Sequence, residues 1–185
     1  MDVGTREEKI KRIKDAFVTL MWVATRGFSQ WLQNFGLTPP QFFALSSLVC
    51  HKEPCTMRDL TDVTFQDPPT MTGIIDRLVK MKLVKRTRSE IDRRVVLVEP
   101  TPAGIELATK IQEETKQEAI KSYATLTNEE LDAMYQSVYY LLRLHVGRYT
   151  SLKDEELDAE VDQLLNFEGN PIHFIQLNAK KQIKN

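Results

Sequence analysis

Two cysteines among 185 residues, Cys50 and Cys55, are too few for a disulfide framework and fit a reducing compartment. No uninterrupted apolar run approaches the roughly 20 residues that span a bilayer, so no membrane-embedded segment is expected. Met1 to Lys9 hold no apolar core of the kind a secretory signal needs, and the cytoplasm is the expected compartment. Glycine (7) and proline (8) are modest, and there are no internal repeats or low-complexity tracts. Neither sign of charge dominates: the net charge is −1, so contact with a polyanion has to come from a local patch. A nucleophile–base pair, a phosphate-cradling glycine loop and a carboxylate dyad are all wanting, so neither an enzyme nor a cofactor is expected.

Cys50, His51 and Cys55 are the one cluster that invites metal or redox chemistry. A zinc site needs three or four ligands, these three lie across a proline turn, and His145 and His173 are distant in sequence, so no metal site is expected. The plain reading is a buried thiol at Cys50 and a helix-edge thiol at Cys55. The alternative is a redox sensor. It requires a thiolate of lowered pKa, for which Cys55, near a helix start, is the better candidate.

What the chain does have is a charged ribbon. Two runs of β-formers, residues 83–87 and 95–98, flank Ser89-Glu90-Ile91-Asp92-Arg93-Arg94, which is too polar to bury and reads as a hairpin tip. Lys85, Arg86, Arg88, Arg93 and Arg94 face only Glu90 and Asp92 in sequence, a local excess of +3. An amphipathic helix enters this hairpin, and a Thr101-Pro102 helix start leaves it.

Helical spacing organises most of the remainder. Apolar residues at Ile10, Ile13, Phe17, Leu20, Ala24, Phe28, Trp31 and Phe35 step by three and four, one stripe of a helix of roughly eight turns. Met21, Trp22, Val23 and Leu32 widen the stripe beyond one flat contact. That surplus favours a shared dimer core over packing inside one subunit. Thr38-Pro39-Pro40-Gln41 is a capping box that opens a second helix to about His51, with Leu37 and Phe42 as its hydrophobic staple. Thr56 to Asp59 starts a short third helix, which fails by about Phe65.

Asp67 then caps a fourth helix with Pro68 at its first position. Met71, Ile74, Ile75, Leu78 and Met81 line one side of it; Thr70, Gly73, Asp76, Arg77 and Lys80 line the other, with Thr72 at the boundary. Two short helices with a tight break, the second polar in its first turns, make a helix-turn-helix. A long helix from Thr101 to about Tyr123 follows the hairpin. A second full capping box, Thr127 with Glu130, opens another helix that carries His145 and Tyr149. The first, fifth and sixth helices are expected to meet in one helical layer. Residues 152–168 hold seven acidic residues against Lys153, yet Leu157, Val161, Leu164 and Leu165 keep helical spacing, so an acidic amphipathic helix is expected. Gly169-Asn170-Pro171, a short apolar stretch over 172–177 and a basic end complete the chain.

Three stretches in this order resemble the MarR family of winged-helix transcription regulators: residues 36–42, Asp76-Arg77-Leu78 through Leu83-Val84, and Asp92-Arg93-Arg94 followed by Leu97 and Thr101-Pro102-Ala103-Gly104. The resemblance covers roughly residues 5–149. The sequence departs from the family pattern at Lys82, where a glycine is usual, at Pro100, and at the Pro68-Pro69 pair. It implies a mainly α fold with a small β-wing: a winged helix-turn-helix DNA-binding lobe (37–100) on dimerisation helices (1–36 and 101–150). The acidic extension (151–185) lies outside the likeness.

The resemblance also implies a homodimeric repressor of a pseudo-palindromic double-stranded operator, with a recognition helix in each major groove and a wing over each minor groove. Arg94 would be the minor-groove finger, with Asp92 orienting the wing through an ion pair to Arg86 or Arg88. Thr70, Thr72, Arg77, Lys80, Arg86, Arg88 and Arg93 complete the expected DNA-binding set. Trp22, Phe28, Trp31 and Phe43 are candidates to line a pocket for a small aromatic effector, the alternative being ordinary core. The rival of a different class is a winged-helix protein-interaction module without DNA binding.

Overall fold

In a computed structural model, residues 4–51, 53–64 and 66–165 are described. The apolar stretch 172–177 and the basic end lie outside them. Seven α-helices are found among these residues: α1 Arg6–Leu32, α2 Pro39–Cys50, α3 Met57–Thr64, α4 Pro68–Lys80, α5 Pro102–Tyr123, α6 Asn128–Tyr149 and α7 Asp154–Leu165. Three strands, β1 Cys55–Thr56, β2 Val84–Arg88 and β3 Val96–Pro100, form an antiparallel sheet in the order β1-β3-β2. The chain divides into two compact units, residues 1–42 and 43–185.

In the first unit the apolar stripe places α1 correctly but starts it late. Thr5 and Glu8 close a reciprocal capping box, with Thr5 N–H donating to Glu8 at 2.7 Å and Glu8 N–H donating to Thr5 Oγ1 at 3.3 Å. A 3₁₀ turn over Gln33–Phe35 ends at Gly36, whose φ of 70° suits glycine. Along α1, Leu20, Trp22, Ile10 and Ile13 are exposed and Leu32 is buried. Near its C-terminal end, Phe28 stacks on Trp31 (6.1 Å between centroids), Trp31 meets Phe35 edge-on (4.9 Å) and Phe28 meets Phe42 (5.6 Å).

In the second unit the core gathers Leu45, Leu48, Leu60, Met71, Ile75, Leu78, Val84, Val98 and Ile111, all nearly inaccessible. Several predicted helix starts have the predicted caps. Asp67 accepts from Thr70 N–H at 2.9 Å, Thr101 Oγ1 from Gly104 N–H at 3.1 Å, and Thr127 and Glu130 close their box at 2.9 and 3.2 Å. Met81, the last apolar residue of the α4 pattern, is exposed because the helix stops there.

The stop is a Schellman closure. Leu83 N–H donates to Leu78 O at 3.0 Å and Lys82 N–H to Val79 O at 2.9 Å. It forces Lys82 to φ 60°, the left-handed region where a Cβ is unwelcome. Lys82→Gly is therefore expected to stabilise the chain by about 0.5–1 kcal/mol, the relief exceeding the added freedom of the unfolded chain. Urea unfolding checks it, and a lower midpoint would refute it.

One expectation changes. The ribbon is three-stranded, because two residues ahead of α3 pair with β3 (Cys55↔Val98, Thr56↔Leu97). A strand that short shows no alternation to read. In the single chain, Ile120 and Tyr123 on α5 and Met134, Tyr135, Val138, Tyr140 and Leu144 on α6 are exposed. Part of α6 is covered by the acidic helix. Val146, Leu157 and Val161 form a small core to which Tyr139, Leu142, Leu152, Leu164 and Leu165 add, and Arg143 on α6 pairs with Asp158 on α7. Gly147 makes room for this contact, since a Cβ there would lie 3.2 Å from Leu157.

Candidate nucleic-acid interface

The wing is β2 and β3 in register from Val84↔Pro100 to Arg88↔Val96, with residues 89–95 as its tip. Its charges are sorted along its length. At the root, Lys85 pairs with its cross-strand partner Glu99 at 3.3 Å, and Arg86 with Asp76 of α4 at 2.5 Å. Toward the tip, Arg88, Arg93 and Arg94 are exposed, and among the described residues none is in an ion pair. Positive charge left for a polyanion therefore sits at the far end of the ribbon.

Asp92 orders that end through the backbone. Its Oδ1 accepts from Arg94 N–H at 2.9 Å, its carbonyl from Val95 N–H at 2.9 Å, and Ser89 N–H reaches Val95 O at 3.0 Å. The expected ion pair from Asp92 to Arg86 or Arg88 is replaced: Arg86 reaches Asp76 instead, which ties the wing root to α4. That contact joins two elements ten residues apart, and no local pattern announces it.

On α4, Met71, Ile74, Ile75 and Leu78 face the core, while Thr70, Thr72, Arg77 and Lys80 are exposed. Arg77 and Lys80 lie in the last turn. The threonine hydroxyl protons are already committed, Thr70 Oγ1 to Asp67 at 2.7 Å and Thr72 Oγ1 to Pro68 O at 2.9 Å. Toward a base edge these residues offer acceptor lone pairs and methyl groups. Beside them, α3 and the start of α4 flank an open cavity of about 210 Å3 lined by Met57, Arg58, Thr61, Pro68 and Thr72. Of these, Thr72 is an expected DNA contact and Pro68 an expected helix start. The others join through the packing of two helices.

Of the aromatic effector candidates, Trp22 is exposed on α1 with the Arg26 guanidinium 5.6 Å from its ring centroid. Phe28 and Trp31 belong to the stacked cluster described above. Phe43 on α2 is exposed.

The redox reading of Cys55 fails on physical grounds. The residue is 2% exposed in β1, and burial, with the Asp59 carboxylate adding to it, pushes the thiol up to about 11; burial also raises Cys50. Nearness to a helix start is outweighed by loss of water. Native Cys55 is expected to resist thiol reagents through pH 9, and peroxide to leave DNA affinity unchanged. Rapid labelling near pH 8 would contradict this. Because the folded state keeps the proton longer, unfolding is favoured as pH rises from about 9 toward 11. No group of metal-binding side chains occurs among the described residues, and no described helix is long and apolar enough to cross a membrane.

The sequence profile of the MarR family matches residues 35–95, from the 3₁₀ turn through the helix-turn-helix to the wing tip. YfiV of Bacillus subtilis, an uncharacterized HTH-type transcriptional regulator, is 30% identical over 115 residues, which span 62% of this chain and 71% of YfiV. The chain belongs to the MarR family. It is thus a winged-helix, DNA-binding transcription regulator and not an enzyme. Solved MarR-family folds superpose on it. YusO from Bacillus subtilis does so with TM-score 0.61 at 23% identity, over 77% of this chain and 98% of YusO. A mutant MarR from E. coli complexed with operator DNA does so with TM-score 0.57 at 23% identity, over 75% of this chain and 99% of that one. Helix α7 lies beyond the residues the family profile matches.

Proposed function

We propose that this MarR-family regulator is a homodimeric repressor of a pseudo-palindromic operator, with half-sites about one helical turn, roughly 10 bp, apart. Each subunit would lay α4 in a major groove and carry Arg94 into the neighbouring minor groove. The sorted wing carries this reading: cations neutralised at the root, outside any ion pair among the described residues at a backbone-ordered tip, and the root tied to α4 by Arg86–Asp76. Arginine suits the task, since its weakly hydrated fork fits a narrow, electronegative groove. The solved MarR complex with operator DNA supports duplex DNA as the partner.

Dimerisation is supported by apolar area that the single chain leaves uncovered, Leu20 and Trp22 on α1 and Tyr140 and Leu144 on α6 all being more than 60% exposed. A small aromatic effector, with Trp22, Phe28, Trp31 and Phe43 as its candidate contacts, would release the operator by favouring a dimer geometry with the wrong recognition-helix spacing. A cytoplasmic location belongs to the same reading.

The test is selection from a randomised duplex library at fixed salt, with sedimentation of the protein alongside. Enrichment of a two-fold symmetric site by a dimer is the expected result. A folded dimer that enriches nothing would replace this reading with the protein-interaction module.

A further inference from the structure

The N-terminal turn of α4 is short of hydrogen-bond donors. Pro68 and Pro69 bring no backbone N–H, and the next N–H, from Thr70, is held by Asp67 at 2.9 Å. The Thr70 hydroxyl proton is held by the same carboxylate, and the Thr72 hydroxyl proton by Pro68 O. Across the cavity on α3, the Thr61 hydroxyl donates to Arg58 O at 2.7 Å. The approximately 210 Å3 cavity between the two helices is therefore walled by a thioether, a pyrrolidine ring, two threonines with no proton to give, and Arg58. The exposed Arg58 guanidinium supplies the remaining donors.

A recognition helix meets base edges with its N-terminal residues. Most major-groove acceptors would find no donor in this turn, and the Asp67 carboxylate repels phosphate from it. One group in the major groove asks for no hydrogen bond at all, the C5-methyl of thymine. We propose that the cavity walled by Met57, Thr61, Pro68 and Thr72 is a thymine-methyl pocket that sets base preference at one position of each half-site. Arg58 holds an adjacent phosphate, which positions without specifying. The pocket rests on the operator-binding reading above.

The experiment uses the full-length protein and its selected duplex. Each thymine is exchanged in turn for deoxyuridine, which lacks only the methyl. One position per half-site is expected to lose about fourfold in affinity, the effect of leaving a single methyl unburied. 5-Methylcytosine against cytosine at the same step should show the same methyl preference. The double variant Thr61→Ser, Thr72→Ser keeps both hydroxyl bonds and removes both wall methyls. It should bind the thymine and deoxyuridine duplexes alike while its helicity and its salt dependence stay unchanged. A selected duplex indifferent to every deoxyuridine exchange, or a methyl preference undiminished in the double variant, would overturn the pocket alone. The absence of any selected duplex would overturn the operator reading and the pocket with it.

Discussion

Arg94→Ala is expected to weaken binding to the selected operator by about a hundredfold at fixed salt, the largest functional loss from any single side-chain truncation in this chain. Each well-placed arginine contact contributes on the order of 1–3 kcal/mol, and the proposed dimer has two wings. Arg94 is exposed, is outside any ion pair among the described residues, and has its backbone N–H fixed by Asp92, so no internal partner competes for the guanidinium. The salt slope should become shallower by about two, one contact per wing. Stability should hardly change, because the side chain is exposed and enters no ion pair among the described residues. Filter binding or fluorescence anisotropy across a salt series, with thermal unfolding as the control, measures both. A variant that keeps operator affinity within twofold would remove Arg94 from the interface.

Gly104→Ala is expected to give the largest loss of stability, about 2–4 kcal/mol, with a fall of roughly 5–15 °C in the unfolding midpoint. A Cβ at this position would stand 2.0 Å from the Leu83 carbonyl oxygen and 3.2 Å from Leu45 Cδ1. The leucine side chain can shift, but the carbonyl is held in place. Leu83 O accepts the Thr101 N–H at 3.0 Å, and Thr101 Oγ1 donates to the neighbouring Lys82 O at 2.7 Å. These bonds weld the first turn of α5 to the end of α4, so the new methyl has to separate the two helices. Since the same junction carries β2, DNA affinity should fall with stability. Urea unfolding that shifts by less than about 1 kcal/mol would show that the junction yields.

The capped helices were legible because their signals are local. Thr38 with Gln41, Asp67 with Pro68, Thr101 with Pro102 and Thr127 with Glu130 each lie within four residues, and each stands at or next to an observed helix start. Thr5 with Glu8 carries the same signal, but a reading begun at the first apolar residue starts α1 at Ile10. The acidic amphipathic helix was readable from Leu157, Val161 and Leu165 despite its charge, because spacing reports burial independently of what occupies the other face.

The candidate site was legible in its residues and less so in its connections. The wing cations announce themselves by density, yet which are neutralised depends on Glu99 across a ladder and Asp76 on another element. Strand β1 is too short to have a period. The environment of Cys55 follows from its pairing with β3 and not from its distance to a helix start. The stripes of α1, α5 and α6 were recognisable as apolar, but sequence spacing does not say whether the covering surface lies in the same chain.

The bonded tip of the wing has a consequence for timing. Ordering a loop on contact with DNA costs about 1–2 kcal/mol for every residue whose backbone is fixed then. In residues 89–95 that entropy is surrendered when the protein folds, through the Ser89–Val95 and Asp92–Val95 backbone bonds and the Asp92–Arg94 cap. In the proposed mode of binding, arrival at the minor groove then requires no rearrangement of the ribbon. Differences in affinity among operators should be carried by how long the complex lasts, with nearly uniform association rates.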